Sequence, residues 1–394
     1  MLSQAGLILE YVVLVYLTIQ IAYLFIFSVA GKLAEKKKFK HAEKLNSIRV
    51  FIPGYKEDAV IISTAKAAIA HNYPKHLFEV VVIADSFSAL TLAALKELSL
   101  KVVEVSFDKS TKGKALTKAL QAFKNDPKEL VVILDADNQM APGFLHGVNN
   151  AYEAGYNVIQ GHRTAKNMQT AFAFLDACTE EINNHIFRRG HAALGLSSAL
   201  IGSGMAFKYS LFTELLVNIG ETAGEDKEIE FRLAYRKQKV AFLDGFFVYD
   251  EKVANTTVFA KQRSRWLGAQ VEFFEKYFIE GWKQLFTGNI GFFDKVLQTF
   301  LLPRVMLVAF TFFWLLFTIL FANQFLITSL GLFAALAIAL LTGIPAKWYN
   351  KELLNAFMQI PGAVFSMFKA LLNIGKARKQ FIHTPHVEVK QINH

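Results

Sequence analysis

The chain reads as an α/β protein built on a mostly parallel sheet, with membrane-seeking helices on either side. Three observations predict this. Short β-branched runs alternate with helical stretches between residues 48 and 160, the pattern of successive βαβ units. Carboxylates stand at the ends of several of those runs, and long apolar stretches occupy the N-terminus and the last third.

Composition agrees with membrane association. The 394 residues have a mean hydropathy of +0.29 and include 37 Phe, too apolar for an ordinary soluble enzyme of this size. The formal net charge is +10, and much of the excess lysine lies beside apolar runs, which favours an anionic bilayer surface over nucleic acid as the partner. Cys178 is the only cysteine, so an intrachain disulfide and a structural zinc-thiolate site are excluded.

Residues 7–30 form an apolar run interrupted by Glu10 and Gln20 and long enough to cross a bilayer. Its basic residues follow it, which argues against a signal peptide. Lys32, Lys36, Lys37, Lys38, Lys40 and Lys44 then place the following segment in the cytoplasm by the positive-inside rule.

Strands are expected over 48–52, 80–84, 102–105, 131–134 and 158–160, with helices such as 60–71 and 115–123 between them. The organising stretch is Leu130 to Leu134, five apolar residues in a row, read as a strand buried on both faces. Asp135 and Asp137 follow it. Ligands of open α/β sheets bind outside the carboxyl ends of the strands, so these carboxylates would face a crevice and suit a divalent cation holding a phosphate. An acidic turn is the other reading. Glu57 after the first strand and Asp85 after the second would stand at the same edge.

Lys112-Gly113-Lys114 opens a helix with two cations, either an anion site or a solvated basic turn. Residues 168–189 read as one long helix, and the loop after it ends in Gly202-Ser203-Gly204, glycines that permit close approach to a ligand or mark an ordinary turn. Glu225 and Asp226 follow Gly224 in a first helical turn, where a carboxylate is favoured structurally and is also placed as a general base. Residues 258–278 form a further helix on which Gln262, Arg265 and Trp266 share one face, a combination suited to phosphate and sugar. Two more spans are expected, over 305–321 with flanks from about 296 and over 325–341, and an interfacial helix over 353–374.

In order, Asp85, Asp135-Ala136-Asp137, Glu225-Asp226 and Gln262-Arg263-Ser264-Arg265-Trp266 resemble the D, D-x-D, E-D and Q-x-x-R-W signature of membrane-bound family 2 glycosyltransferases. These include the cellulose, hyaluronan, chitin and poly-N-acetylglucosamine synthases. The likeness spans residues 49–266 and implies a GT-A fold with inverting transfer from a nucleotide-diphosphate sugar, commonly a UDP-sugar. It implies that Glu57, Asp85, Lys114 and Asp135 bind the nucleotide sugar and that Asp137 ligates Mg²⁺ or Mn²⁺. Asp226, beside Glu225, would take the acceptor proton. Gly202, Ser203, Gly204, Gln262, Arg263, Arg265 and Trp266 would hold the acceptor and the diphosphate.

The product implied first is a β-linked polysaccharide extended at the cytoplasmic face. Single-sugar transfer to a lipid or short-glycan acceptor is the alternative, and an inactive nucleotide-sugar-binding subunit the third reading. Ser86 stands where many relatives have a second Asp, and residues 381–384 only loosely resemble a gating element of some relatives. Three spans are fewer than the large synthases have, which implies a homo-oligomer or an export partner. The expected plan is a transmembrane helix (1–31), a basic linker (32–46), a catalytic domain (47–280), an interfacial segment with two transmembrane helices (281–346), and an interfacial helix with a cytoplasmic tail (347–394). The protein would be multi-pass in the inner (plasma) membrane.

Overall fold

The structure is a computed structural model that describes residues 4–220, 224–252 and 256–372. Its strands are β1 (Ile48–Tyr55), β2 (Phe78–Asp85), β3 (Lys101–Val105), β4 (Leu130–Ile133), β5 (Gln139–Met140), β6 (Val158–Ala165), β7 (Met205–Lys208) and β8 (Val240–Asp250). They form an eight-stranded sheet in the order β3-β2-β1-β4-β7-β6-β8-β5. The first four in sequence are mutually parallel, joined through helices Ile61–Ile69, Ala89–Lys96 and Lys112–Ala122.

β4 is buried on both faces, as its unbroken apolar run requires. Leu130 and Val132 pack into one hydrophobic cluster with Ile61, Leu95 and Phe144, while Val131 and Ile133 pack into another with Leu116, Phe212 and Ile229. Each fully buried aliphatic side chain of this kind contributes roughly 1.5–3 kcal/mol.

The sheet, expected to be mostly parallel, is mixed in its second half. β7 runs antiparallel to both β4 and β6, β6 is parallel to β8, and β5 is antiparallel to β8. The reversal matters for the site, because it sets the beginning of β7 against the end of β4, with Ile133 opposite Met205. β8 was not expected. Its outer half is only partly buried, Gly245 has φ 103°, and the β6–β8 register shifts between Gly161 and His162, so no clean period-2 pattern survives in the sequence.

The helix expected over 168–189 begins later, at Ala171, where the Thr170 hydroxyl accepts the Ala173 N–H at 3.1 Å. After Asn183 it loosens into a π-helical segment, Asn184–Gly190. That segment packs against the apolar helix Gln4–Leu33 through glycines. A Cβ on Gly190 would collide with the Phe27 carbonyl, and one on Gly31 would lie 2.8 Å from the His185 carbonyl oxygen.

Helix Gln4–Leu33 is long and apolar enough to cross a membrane. The second expected span is broken, since helices Ile290–Phe300 and Arg304–Leu320 meet at 64°. Pro303 explains the break: it lacks an N–H and disfavours helix for Leu302 before it. Gln20 meets the freed backbone groups, donating to the Phe300 carbonyl at 3.3 Å and accepting the Leu302 N–H at 2.9 Å. The third, Leu326–Leu341, has 16 residues, short of a span by itself.

By length and composition the described residues therefore hold one span, or two if the bent pair counts as one, against the three expected. The helix expected over 353–374 is split into Lys351–Phe357 and Ile360–Leu372 just before Pro361, and the tail segment 381–386 lies outside the described residues.

Gly190→Ala should lower the melting temperature of the detergent-solubilised protein by several degrees, the cost of overpacking a close contact being about 1–3 kcal/mol. An unchanged Tm would mean that the two helices have room between them.

Candidate active site

The site forms at the carboxyl edge of β1, β2 and β4. Tyr55 pairs with Asp85 at the ends of β1 and β2. The chain then turns sharply on both strands, with Lys56 at φ 55° and Ser86 at φ 59°, and the Lys56 N–H donates to the Asp85 carbonyl at 3.0 Å. The buried Asp85 carboxylate accepts the Ser86 hydroxyl at 3.0 Å, so Ser86 supports it. Glu57 is buried beside Gly54.

The loop after β4 is held from the opposite strand. The Gly204 N–H donates to the Ile133 carbonyl at 2.8 Å, and the Ser203 hydroxyl accepts the Asp135 N–H at 3.0 Å. The Gly202-Ser203-Gly204 loop therefore supports the D-x-D turn because β7 is antiparallel to β4. Gly202 and Gly204 have φ values of 81° and 62°, and a Cβ on Gly204 would lie 2.8 Å from Val248. Asp137 is buried, and the wholly buried Asn138 next to it donates to Asp250 at 3.1 Å.

Lys112 reaches into the centre from the start of helix Lys112–Ala122. Its ammonium donates to the Asp135 carboxylate and to the Gly202 carbonyl at 2.6 Å, and lies 3.9 Å from Glu225 Oε1. Gly113 permits this approach, since a Cβ there would be 3.1 Å from Ile219. Burial works against charge on Lys112, but Asp135, Glu225 and Asp226 outweigh it and raise its pKa. Lys114 was expected in the binding role. Its ammonium donates to the Lys109 carbonyl at 3.1 Å, and its backbone N–H donates to the capping Thr111 at 3.2 Å.

Glu225 and Asp226 occupy the first turn of helix Glu225–Tyr235, where the helix dipole favours negative charge. The Lys227 N–H donates to Asp226 Oδ1 at 2.8 Å, and a Cβ on Gly202 would sit 3.4 Å from Asp226 Oδ2. Burial pushes the Glu225 carboxyl up to about 7; Lys112 pulls against this while the charges of Asp226 and Asp135 add to it. Lys227 follows this pair in the same helical turn. Its ammonium is turned to Glu230 at 2.5 Å.

Asp135, Lys112, Gly202, Glu225 and Asp226 thus come together from four elements. On helix Thr256–Phe286, Gln262 and Arg265 are half-buried and Trp266 is 40% exposed. The Arg263 guanidinium pairs with Asp176 at 2.7 Å and lies 4.3 Å from the Trp266 ring centroid, so Arg263 ties this helix to Ala171–Asn183 and orients the indole. The Ser264 hydroxyl donates to the Ala370 carbonyl at 3.2 Å.

Two contributors were not anticipated. Gln160, wholly buried, donates to the Ser203 carbonyl at 2.9 Å and accepts the Ile201 N–H at 3.0 Å, fixing the glycine loop. Asp250, which receives Asn138, belongs to a buried network in which Lys252 meets it at 2.7 Å and Arg163 meets Glu180 at 2.8 Å. A long polar side chain directly after Val158 and Ile159 was the available signal for Gln160.

Among the described residues no group of three or more His, Cys, Asp or Glu side chains is arranged to hold a metal ion. What the site offers is one or two carboxylates, Asp137 and Asp135, at a strand end. That donor set fits a hard divalent cation whose remaining ligands come from a bound phosphate and water, and not a cation held by protein alone.

A family profile described as Glycosyltransferase like family 2 matches residues 46–269. The chain is 25% identical over 240 residues, 58% of its length and 56% of the other's, to the Probable glycosyltransferase YdaM of Bacillus subtilis. It is 27% identical over 227 residues, 56% of its length and 48% of the other's, to the Beta-monoglucosyldiacylglycerol synthase of Trichormus variabilis. It thus spans about half the length of the curated relatives it matches. The solved structure of the mannosyltransferase PcManGT from Pyrobaculum calidifontis, in complex with GDP-Man and Mn²⁺, shares the fold with a TM-score of 0.57 at 16% identity, covering 93% of this chain and 98% of that one.

A raised carboxyl pKa has a sign in stability. The folded protein retains the Glu225 proton that the unfolded chain releases above its ordinary value of 4.5, so stability falls as pH rises from there through about 7. Glu225→Gln should therefore gain stability relative to the parent between pH 5 and 8, by up to roughly 3 kcal/mol. A pH-independent difference in denaturation midpoints would place Glu225 in water instead.

Proposed function

The chain belongs to the Glycosyltransferase like family 2 and carries a GT-A fold, and from that premise we propose that it transfers a sugar from a nucleotide diphosphate to an acceptor hydroxyl with inversion. The observation that carries this reading is the convergence of Asp135, Glu225 and Asp226 around Lys112 at the edge of the sheet. Inversion requires a base on the acceptor side and charge stabilisation of the leaving group on the other, and the carboxylates fall into two such sets.

On the donor side, Asp85 and Glu57 would contact the nucleoside, and Asp135 the nucleotide. Lys112, which pairs with Asp135, would meet the diphosphate, with Lys114 nearby. Asp137 would hold Mg²⁺ or Mn²⁺; the mannosyltransferase complex contains GDP-Man and Mn²⁺. Such a cation, when bound, neutralises the departing diphosphate without proton transfer. On the acceptor side, Asp226 takes the hydroxyl proton. Lys227 fixes one of its oxygens through the backbone, and the other faces Gly202, where the missing side chain leaves room for a hydroxyl. A protonated Glu225 removes one like charge beside that base. Gly202, Ser203, Gly204, Gln262, Arg263, Arg265 and Trp266 line or orient the acceptor region.

The acceptor we favour is a lipid or short glycan receiving a single sugar at the membrane surface. The apolar helix Gln4–Leu33 packs directly onto the segment Asn184–Gly190, and one relative is named a monoglucosyldiacylglycerol synthase. The catalytic domain, residues 47–280, would lie on the cytoplasmic face of the inner membrane beside the lysine block that follows the first helix. Polysaccharide extension is the second reading, favoured by Gln262, Arg265 and Trp266, and it would require a homo-oligomer or an export partner.

The test is turnover in nanodiscs with a panel of UDP- and GDP-sugars, with products sized by mass spectrometry. Asp226→Asn should reduce kcat by roughly 10²–10⁴-fold while leaving nucleotide binding in place. One added residue supports the lipid or short-glycan acceptor, and a ladder of lengths supports the polymer. Full activity of Asp226→Asn would remove the assigned base.

A further inference from the structure

The helix that carries Glu225 and Asp226 is gripped from behind by an ion triplet centred on a buried carboxylate. Glu230 is 2% exposed and sits between Lys227 Nζ at 2.5 Å and Lys295 Nζ at 2.9 Å. Burial raises the Glu230 pKa, but the two ammonium groups overcome it and bring the carboxyl down to about 2. Lys295, 1% exposed in its side chain, comes from helix Ile290–Phe300. It also donates to the Ser197 carbonyl at 3.1 Å, in the loop that runs on to Gly202. One ammonium therefore holds both the carboxylate helix and the loop facing it.

Neighbouring contacts also hold the same helix, including Lys276 on Glu228 at 2.7 Å and Arg232 on the Leu215 carbonyl at 2.9 Å. Phe231 packs edge-on to Phe292 with centroids 5.5 Å apart and stacks on Tyr277 at 4.2 Å, and the Asn289 amide donates to the Ala234 carbonyl at 3.0 Å. These aromatic contacts are tolerant of rotation. An ion pair with a backbone hydrogen bond is directional, and it is an expensive choice for mere packing, since a buried charged pair is often matched or bettered in stability by apolar residues of the same volume.

We propose that Lys295 is a positioning residue for the Glu225-Asp226 pair, setting the rotation of their helix against the 197–202 loop. The proposal rests on the transferase reading above. It has a second consequence through Glu230: sharing that carboxylate keeps the Lys227 ammonium away from Asp226, which Lys227 meets through its backbone N–H. The chain of contacts continues outward. Asp294, next to Lys295, accepts the Tyr23 hydroxyl of helix Gln4–Leu33 at 2.6 Å, so the apolar helix is linked to the carboxylate helix through adjacent residues.

The experiment uses the full chain in nanodiscs, as the parent, Lys295→Met and Lys295→Arg. Three quantities are read: hydrogen exchange, Mn²⁺-dependent UDP and GDP binding, and kcat with donor KM. Lys295→Met should speed exchange at the amides of residues 225–231 while the strands keep their protection. It should leave nucleotide binding and donor KM near the parent values, and lower kcat roughly 10–100-fold, the scale on which a small misplacement acts. Lys295→Arg, which retains the charge, should recover most of that loss.

Parent-like exchange and kcat in Lys295→Met would overturn the proposal. So would faster exchange throughout the sheet with nucleotide binding lost in parallel, which would make Lys295 a packing residue. Exchange is read without turnover, so a parent protein inactive with every donor would count against the transferase reading while the link from Lys295 to the carboxylate helix is still decided by the local amides.

Discussion

Asp135 at the end of a strand and Glu225 and Asp226 at the start of a helix bring three carboxylates into one crevice, and the ammonium of Lys112 is the charge that lets them stand there. Like charges at such spacing repel strongly once water is partly excluded, and the site relieves the repulsion twice. Lys112 pairs with Asp135 and approaches Glu225, and Glu225 keeps its proton up to about 7. The same ammonium donates to the Gly202 carbonyl. Strand end, glycine loop and carboxylate helix are thereby referred to one atom, and the position of each depends on the others.

The support around this centre is built from buried polar groups and not from apolar packing alone. Gln160 and Ser203 secure the loop, Asn138 and Asp250 secure the turn after Asp137, and Lys295 with Glu230 secures the helix. The apolar helices at the two ends of the chain follow the same logic. Gln20 satisfies the backbone opened at Pro303, and the Glu10 carboxylate accepts the Asn323 amide at 3.0 Å. The polar interruptions of the first apolar run are thus contacts to the C-terminal helices, which have the fewest alternatives for their backbone groups in an apolar setting.

What could be read from the sequence follows from what is local. β1 to β4 announce themselves as β-branched runs, and the acids at their ends share an edge because parallel strands point the same way. The meeting of Gly202-Ser203-Gly204 with Asp135 was not legible as geometry, because it depends on β7 running antiparallel, a tertiary fact with no local signature. β8 was hidden by Gly245 and a register shift. The expected second span is bent at Pro303, a residue plainly visible in the sequence.

We assign to the end of β4 a nucleotide diphosphate held through a divalent cation at Asp137. Calorimetric titration of UDP and GDP, with and without Mn²⁺, into the parent and Asp137→Asn proteins tests it most directly. The account predicts binding that requires the cation and is lost in Asp137→Asn. Equal affinity without the cation, or parent-like binding by Asp137→Asn, would contradict it.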